Sequence, residues 1–138
     1  MLKKIVEDIA GRINTPVPNP DEQGYYTFNF NDGLNVSVFQ YDDTTVFASP
    51  LNVSAEEKDQ LVKLLQWQLA RAKEYDEILS FDPAKQQFFL YKQLSPSKLS
   101  ERSVLEHLEI FLNNLDYWKS ISNPDSNISS APNNLFSR

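Results

Sequence analysis

The sequence has no cysteine, one histidine and three glycines among its 138 residues, and each scarcity excludes a class of site. Without cysteine there are no disulfides, no thiolate metal sites and no thiol nucleophile, a composition that suits a reducing cytoplasm. The glycines, Gly11, Gly24 and Gly33, are too widely separated to form a phosphate-binding loop of the P-loop or dinucleotide type. The single histidine, His107, has no serine or cysteine motif beside it, so a hydrolytic triad is not expected.

Long apolar runs and a surplus of basic residues are also missing. No stretch approaches the roughly 20 apolar residues that cross a bilayer, so no membrane insertion is expected. Lysine and arginine number 13 against 19 acidic residues, and the net charge of −6 argues against nucleic acid as the main partner. Near the N-terminus, Glu7 and Asp8 interrupt the start of any signal-peptide core, which favours a cytoplasmic protein. A chain of this length predicts one domain with a single core.

The stretch from Pro50 to Leu94 organises the chain, and it begins with a long apolar helix. Ser54 and Glu57 form a capping-box pattern at the start of this helix, in which each side chain pairs with an otherwise unpaired amide. Most apolar residues between Leu61 and Ala72 fall in one arc centred near Leu65. The pattern predicts that this arc faces the core.

Two residues project from the opposite side of this helix among polar neighbours: Trp67 and Ala70. A tryptophan at that position predicts either a ring that lies on its own helix or under a loop, or an interface with a second subunit. Subunit interfaces favour aromatic anchors with few charges at their centre. The second interpretation therefore predicts that a partner covers this side of the helix.

Before the central helix, the sequence predicts a short helix and a three-stranded antiparallel meander. Apolar residues at helical spacing over residues 2–13 indicate an amphipathic first helix. Alternation over residues 25–49 is interrupted by the turn sequence Asn31-Asp32-Gly33, in which glycine accepts the positive φ of a hairpin. Leu34, Val36 and Val38 of the return strand are expected on the same apolar face as Phe28 and Phe30 of the first strand. Three aromatic residues are assigned to the opposite face of the meander: Phe39, Tyr41 and Phe47. Either a helix covers them, or they form an apolar patch for a partner.

After the central helix, the pattern predicts a second hairpin, a last helix and a polar tail. The hairpin strands, Glu77 to Asp82 and Gln86 to Leu94, flank a type I turn with proline at its second position. A continuous apolar stripe predicts the last helix from about Glu101 to Ile121, and the polar composition of 122–138 indicates a disordered tail. The order helix, three strands, helix, two strands, helix predicts an α+β domain over residues 1–121. Its sheet is expected to be twisted, mostly antiparallel and flanked by helices.

Acidic turn residues are the remaining candidates for chemistry. Asp42, Asp43 and Asp82 offer oxygen ligands for a divalent cation, but acids are common in turns because they bond locally to the backbone. Basic residues do not cluster into a nucleic-acid patch. The sequence therefore predicts no catalytic residue, no metal site and no cofactor, and its main feature is surplus apolar surface on an acidic body.

Three consecutive segments have the order of a known family's elements. They are a leucine-rich helix over Leu61–Ala70, a strand and Asp-Pro turn over Ile78–Pro83, and a strand over Phe88–Leu94 that ends in a polar-Leu pair. Each motif is degenerate by itself. Together and in this order they give a chain that resembles the class I type III secretion chaperones, the Tir-chaperone family. The resemblance in element order extends from Leu2 to Ile121.

The resemblance implies a homodimer that binds the N-terminal segment of a secreted effector in extended form, without enzymatic activity and without a nucleotide. In the family, the central helix and the strand after it build the dimer interface, which corresponds here to Lys63, Trp67, Ala70, Ile78 and Ser80. Effector contacts are expected among Leu2, Val6, Phe39, Tyr41, Val46 and Phe47. The export apparatus is a further expected partner, and the protein is expected in the bacterial cytoplasm.

Two other functions remain open at this point. A regulatory adaptor on the same fold would bind another chaperone or a transcription factor in place of an exported protein. A small enzyme would use the turn carboxylates Asp42, Asp43 or Asp82 and would require a metal ion.

Overall fold

The helices and strands follow the periodicity of the sequence. The computed structural model describes residues 2–30, 33–51 and 58–122. In chain order the elements are α1 (Leu2–Arg12), β1 (Tyr26–Asn29), β2 (Asn35–Tyr41), β3 (Thr44–Leu51), α2 (Lys58–Arg71), β4 (Ile78–Asp82), β5 (Gln87–Leu94), α3 (Pro96–Glu101) and α4 (Val104–Ser122). A helix, three strands, a helix, two strands and a helical region therefore occur in the predicted order, and the α+β class is confirmed.

The five strands of the described residues join one antiparallel sheet in the order β1-β2-β3-β5-β4. The first hairpin pairs Phe28 with Val36, and both side chains are buried, which confirms the predicted apolar face of the meander. The two hairpins join where β3 pairs with β5, and there Phe47 lies opposite Lys92. β1 and β4 are therefore the two edges of the sheet.

One face of the sheet packs against α1 and α4 to form the core. Because side chains alternate along a strand, every second residue of β3 and β5 enters this core. Phe47 packs on Phe111 with ring centroids 5.8 Å apart. The helix α4 contributes five fully buried side chains: Leu108, Phe111, Leu112, Leu115 and Trp118. Their spacing confirms the predicted stripe of the last helix, and none of the described helices is long and apolar enough to cross a bilayer.

The segment after β5 differs from the prediction because it forms two helices. Ser95 caps α3 by accepting from the Lys98 amide at 3.3 Å, and a proline follows at the first helical position. Arg102 then takes an extended backbone with φ −141° and ψ 152°, which ends α3. Ser103 caps α4, since its Oγ accepts from the Glu106 amide at 3.2 Å. Two serine caps therefore divide the segment.

Several predicted features lie outside the described residues. They are Asn31 and Asp32 of the first turn, the capping pair Ser54 and Glu57, and residues 123–138 of the polar tail. Gly33 has a positive φ of 74°, as the predicted hairpin turn requires. Ser122 belongs to α4 and not to the tail, because its hydroxyl donates to the Trp118 carbonyl at 2.7 Å.

Candidate functional site

The face of the sheet that points away from α1 and α4 is open and carries a groove. Its floor is apolar and consists of Phe39 from β2, Val46 and Ala48 from β3, and Phe89 and Tyr91 from β5. These five side chains are called the sheet groove below. The floor is continuous because Phe39 pairs with Val46 and Ala48 pairs with Tyr91 across neighbouring strands. The volume of the groove is about 620 Å³.

The rim of the sheet groove is polar, with two acidic residues in one turn. Asp42 and Asp43 lie beside Tyr41, whose side chain is 72% exposed. Thr44 of β3, Ser80 of β4 and Gln93 of β5 complete the lining. An apolar side chain of a partner would leave water at the floor, while the polar rim supplies hydrogen-bonding groups that fix its orientation.

Three of the six predicted effector-binding residues lie at this groove: Phe39, Tyr41 and Val46. Phe47 does not, and its assignment to the open face is wrong. Adjacent residues of a strand point to opposite faces, so Phe47 is fully buried on the α4 side. On α1, Val6 is only 1% exposed and belongs to the core, and Leu2 is partly buried against that core. Of the effector contacts proposed on the sheet, Tyr41 is exposed and Phe39 is partly exposed, whereas Val46 is only 5% exposed at the floor of the groove. Val6 and Phe47 are not accessible.

Sequence analysis missed Phe89 and Tyr91, which contribute to the floor of the groove. They alternate along β5 with Phe88 and Leu90, which are also apolar. Alternation alone therefore does not decide which of the two sets is buried. The strand pairing decides it, because Tyr91 lies opposite Ala48 on the open face.

The orientation of α2 corrects the sequence-based assignment. Leu64 is 2% exposed and faces the core, whereas Leu65, the centre of the predicted core arc, is 56% exposed. Trp67, which was predicted to project outward, is partly buried against the core and meets the Tyr117 ring edge-on at 5.8 Å. Three apolar side chains face outward instead, and they are called the α2 stripe below: Val62, Leu65 and Leu69.

Two polar side chains on the inward side of α2 explain this orientation. Gln68 accepts a hydrogen bond from the Leu79 amide of β4. Arg71 Nε donates to the Glu77 carboxylate at 2.8 Å. A prediction from hydrophobicity assigns glutamine and arginine to the solvent-exposed side of a helix. The predicted core arc was therefore centred on Leu65, one residue away from Leu64, which is the buried residue. At about 100° per residue, that is a rotation of more than a quarter turn.

A buried carboxylate, Glu77, joins the end of α2 to β4 and α4. It is 2% exposed and also accepts from Trp118 Nε1 at 3.1 Å and from Asn114 Nδ2 at 3.0 Å. The Arg71 guanidinium lies over the Tyr75 ring, 4.0 Å from its centroid. Sequence analysis placed Glu77 in a strand and missed this role, because no local signal shows which acid finds buried donors. Both charges of the pair are satisfied, so the network holds α2 with its apolar stripe outward.

The predicted dimer-interface residues divide into accessible and less accessible positions. Lys63 and Ala70 are exposed on α2, and Ile78 is 38% exposed at the start of β4. Ser80 lines the sheet groove. Trp67 lies mainly inward, so accessible apolar surface on α2 comes from the α2 stripe.

The comparison with known families identifies this arrangement of helices and strands. The sequence pattern of the Tir chaperone protein (CesT) family matches residues 4–119, which is most of the chain. The chain belongs to this family. The resemblance predicted from the sequence is therefore confirmed, and it extends from α1 into α4. No curated protein sequence matches this CesT-family chain significantly.

Among the solved structures that share the fold of this CesT-family chain are three protein complexes. A chain of the ExsC–ExsE complex matches with a TM-score of 0.64 at 17% identity, covering 86% of this chain and 91% of that one. The HopA1–SchA chaperone–effector complex matches with 0.68 at 14% identity, covering 88% and 92%. The structure of the Yersinia pestis type III secretion chaperone SycH with a stable fragment of YscM2 matches with 0.51 at 16%, covering 78% and 93%. At these identities the likeness shows a shared fold.

The acidic turn residues of the CesT-family chain have local structural roles. Asp82 Oδ1 accepts from the amides of Ala84 and Lys85 at 3.0 and 3.4 Å, so it stabilises its own turn. Asp42 takes φ 55° in the β2–β3 turn, a conformation that aspartate tolerates better than most residues. Within residues 2–30, 33–51 and 58–122, no three acidic or histidine side chains come together as a metal site requires.

Asp76, in the connector between α2 and β4, makes a pH-dependent contribution to stability. Its carboxylate lies 2.7 Å from Lys98 Nζ and 3.4 Å from Lys92 Nζ. Burial alone raises the pKa of Asp76, but the two lysines outweigh burial and hold the pKa below its ordinary value of 3.8. On acidification, Asp76 is therefore protonated at a higher pH in the unfolded chain than in the folded protein. The stabilisation is present at neutral pH and is lost as the pH falls through the lowered pKa of the folded state.

Asp76→Asn is expected to lower the free energy of unfolding modestly at neutral pH, because the Asp76 side chain is 47% exposed and its ion pairs are screened. The difference from the wild type should shrink as the pH falls below 3.8. Urea unfolding across this pH range measures it, with Asp43→Asn in the exposed β2–β3 turn as the control. A difference that is constant with pH would contradict the assigned role of Asp76.

Proposed function

We propose that this CesT-family protein is a type III secretion chaperone that binds the N-terminal segment of an exported effector in extended form. The observation that carries the proposal is the sheet groove, an apolar floor left uncovered in a domain of a chaperone family. An extended peptide presents alternate side chains on one side, which suits a floor built from alternate strand residues. Holding the segment extended prevents it from folding, so it remains competent for a narrow export channel.

The partners follow from this role. The HopA1–SchA structure, which shares the fold, is a chaperone–effector complex, and it supports the same kind of partner here. The export apparatus would receive the complex, and the site of action is the bacterial cytoplasm. Binding of a segment needs no bond to be made or broken, so the proposed function requires neither catalysis nor a cofactor.

Backbone pairing at a sheet edge would add affinity to side-chain contacts in the groove. The β4 edge is partly closed, because Gln68 already accepts from the Leu79 amide. The β1 edge, Tyr26–Asn29, is connected to the groove through Tyr25, whose ring stacks on Phe39 at 4.1 Å. We therefore assign strand addition by the effector segment to β1.

The α2 stripe supports the second part of the proposal, a homodimer. Val62, Leu65 and Leu69 recur at intervals of three and four residues, so they form one apolar row along the outside of the helix. A single copy leaves this row in water, whereas a second copy related by a two-fold axis would cover it with the same row. We place four of the predicted interface residues at the periphery of this interface: Lys63, Ala70, Ile78 and Ser80. Trp67 packs against the core on the inner side of α2 and stabilises the helix that carries the stripe.

Tyr91→Ser in the sheet groove is expected to weaken capture of the partner segment about tenfold or more, because an aromatic anchor at the floor is removed. The matched control is Tyr75→Ser, which removes a tyrosine from the α2–β4 connector, outside the groove. Partners captured from the native host are identified by mass spectrometry, and binding to each variant is measured by calorimetry.

The proposal further requires that the captured partner be exported and that its export fall when the chaperone is deleted. Equal binding by the Tyr91→Ser and Tyr75→Ser variants would place the segment elsewhere on the surface. A partner that stays in the cytoplasm and is itself a chaperone or a transcription factor would support the regulatory adaptor in place of the secretion chaperone.

A further inference from the structure

The smallest side chain in the floor of the sheet groove lies at its centre. Ala48 belongs to β3, which is the middle one of the three strands that build the floor. Across the neighbouring strands it lies opposite Ser37 of β2 and Tyr91 of β5. Phe39 and Phe89 are its diagonal neighbours, because they pair with the β3 residues two positions before and after Ala48. Three aromatic side chains therefore surround an alanine.

The aromatic side chains around Ala48 are held in pairs on the two sides of β3. On the β2 side, the rings of Phe39 and Tyr25 stack with their centroids 4.1 Å apart and 11° between their planes. On the β5 side, the rings of Phe89 and Tyr91 pack with their centroids 5.7 Å apart. A ring that already packs on another loses that contact if it turns over Ala48. The space above Ala48 is therefore a preformed part of the groove.

The two β3 side chains of the floor differ in how far they fill this space. Val46 is 5% exposed, whereas Ala48 is only partly buried although its side chain is a single methyl group. A partner side chain that enters the space above Ala48 contacts aromatic rings on both sides as well as the floor. Each methylene group gained in an apolar pocket raises affinity roughly tenfold or more. A small side chain of the partner would leave part of the pocket wall without contacts.

The charge of the groove distinguishes between two possible occupants, a second copy of this chain and a segment of another protein. The described lining contains two carboxylates, Asp42 and Asp43, and no lysine, arginine or histidine. Within the described part of the chain, neither carboxylate forms an ion pair. A second copy, with a net charge of −6, would bring further negative charge to this rim. The groove therefore favours a neutral or basic segment of another protein.

We propose that Ala48 determines specificity in the sheet groove, because it leaves space for one large apolar side chain of the effector segment, of leucine size or larger. This inference rests on the proposed function, since the side chain belongs to the segment that the groove binds. The anchoring residue is selected by its size and its apolar character. A segment with alanine or a polar residue at that position would lose affinity, because the space above Ala48 would stay unfilled or would hold a polar group without partners.

An exchange of size between the two partners tests the role of Ala48. Overlapping synthetic peptides that cover the N-terminal region of the captured partner are titrated by calorimetry, and each large apolar residue of the tightest peptide is then replaced in turn by alanine. Ala48→Leu is expected to weaken binding of the tightest peptide about tenfold or more, because the leucine fills the space that the anchoring residue needs. The same variant is expected to bind one alanine-substituted peptide at least as tightly as the wild-type protein does, since the two changes of size compensate. Such binding also shows that the variant is folded.

The control is Ala84→Leu, the same change in the exposed β4–β5 turn, which is expected to leave all affinities unchanged. Equal binding of the peptides by the two variants would overturn the role of Ala48 and leave the proposed function intact. If Ala48→Leu then altered self-association in sedimentation equilibrium, a second copy would be the occupant. A loss that persists with every alanine-substituted peptide would also overturn the role of Ala48, because it would not depend on the size of one side chain. Failure of every peptide to bind the wild-type protein would overturn the proposed function and this inference with it.

Discussion

Replacing Glu77 with alanine is expected to lower the free energy of unfolding by about 3–5 kcal/mol. The change leaves the Arg71 guanidinium, Trp118 Nε1 and Asn114 Nδ2 without their shared acceptor. The Arg71 side chain is only 12% exposed, so water replaces the lost carboxylate poorly. Because small domains are stable by about 5–15 kcal/mol in total, this single change removes a large share of the stability.

Chemical denaturation followed by circular dichroism measures the effect without relying on the fluorescence of Trp118. The control is Glu74→Ala, the same substitution at an exposed position of the same connector, with an expected change within about 0.5 kcal/mol. A double-mutant cycle with Asn114→Ala should give a coupling energy of about 0.5–3 kcal/mol. Equal losses for the Glu77 and Glu74 variants would show that the buried network does not stabilise the fold.

The elements that could be predicted are those whose apolar pattern is compatible with only one type of element and one buried face. On α4 a continuous apolar stripe ends at Trp118, and the stripe defines both the helix and its buried face. In the meander, apolar residues alternate with polar ones, so the pairing of Phe28 with Val36 follows directly from the period of two. Family membership also followed from the order of such elements, because the order is more specific than any one motif.

The failures occurred where tertiary partners reverse a local preference. Gln68 and Arg71 are polar and face inward on α2, because the Leu79 amide and the Glu77 carboxylate satisfy them there. No pattern along α2 contains that information, since both partners lie in the segment that follows. Phe47 is a different case, because it and its neighbour Val46 were both named as effector contacts, although adjacent residues of a strand point to opposite faces. That error was avoidable from the sequence, whereas the orientation of α2 was not.

The outward direction of the α2 stripe changes which substitution tests the proposed homodimer. Replacing Trp67 would disturb the fold together with any interface, because its ring packs on Tyr117. Leu65 is 56% and Leu69 77% exposed, so a charge at either position is compatible with a folded monomer. In a two-fold dimer each substitution occurs twice, and each copy would bury an unpaired carboxylate.

Leu65→Glu is therefore expected to weaken dimerisation at least about 100-fold, which corresponds to about 2.7 kcal/mol. Sedimentation equilibrium at micromolar concentration measures the association, and thermal unfolding of the same samples confirms that the variant is folded. Val17→Glu, a charge introduced at a 47% exposed apolar residue of the proline-rich connector, is the matched control. A wild-type protein that is monomeric under these conditions would contradict the homodimer. A Leu65→Glu variant that dimerises as tightly as the wild type would move the interface away from the α2 stripe, and the stripe would then be apolar surface left for the effector segment to cover.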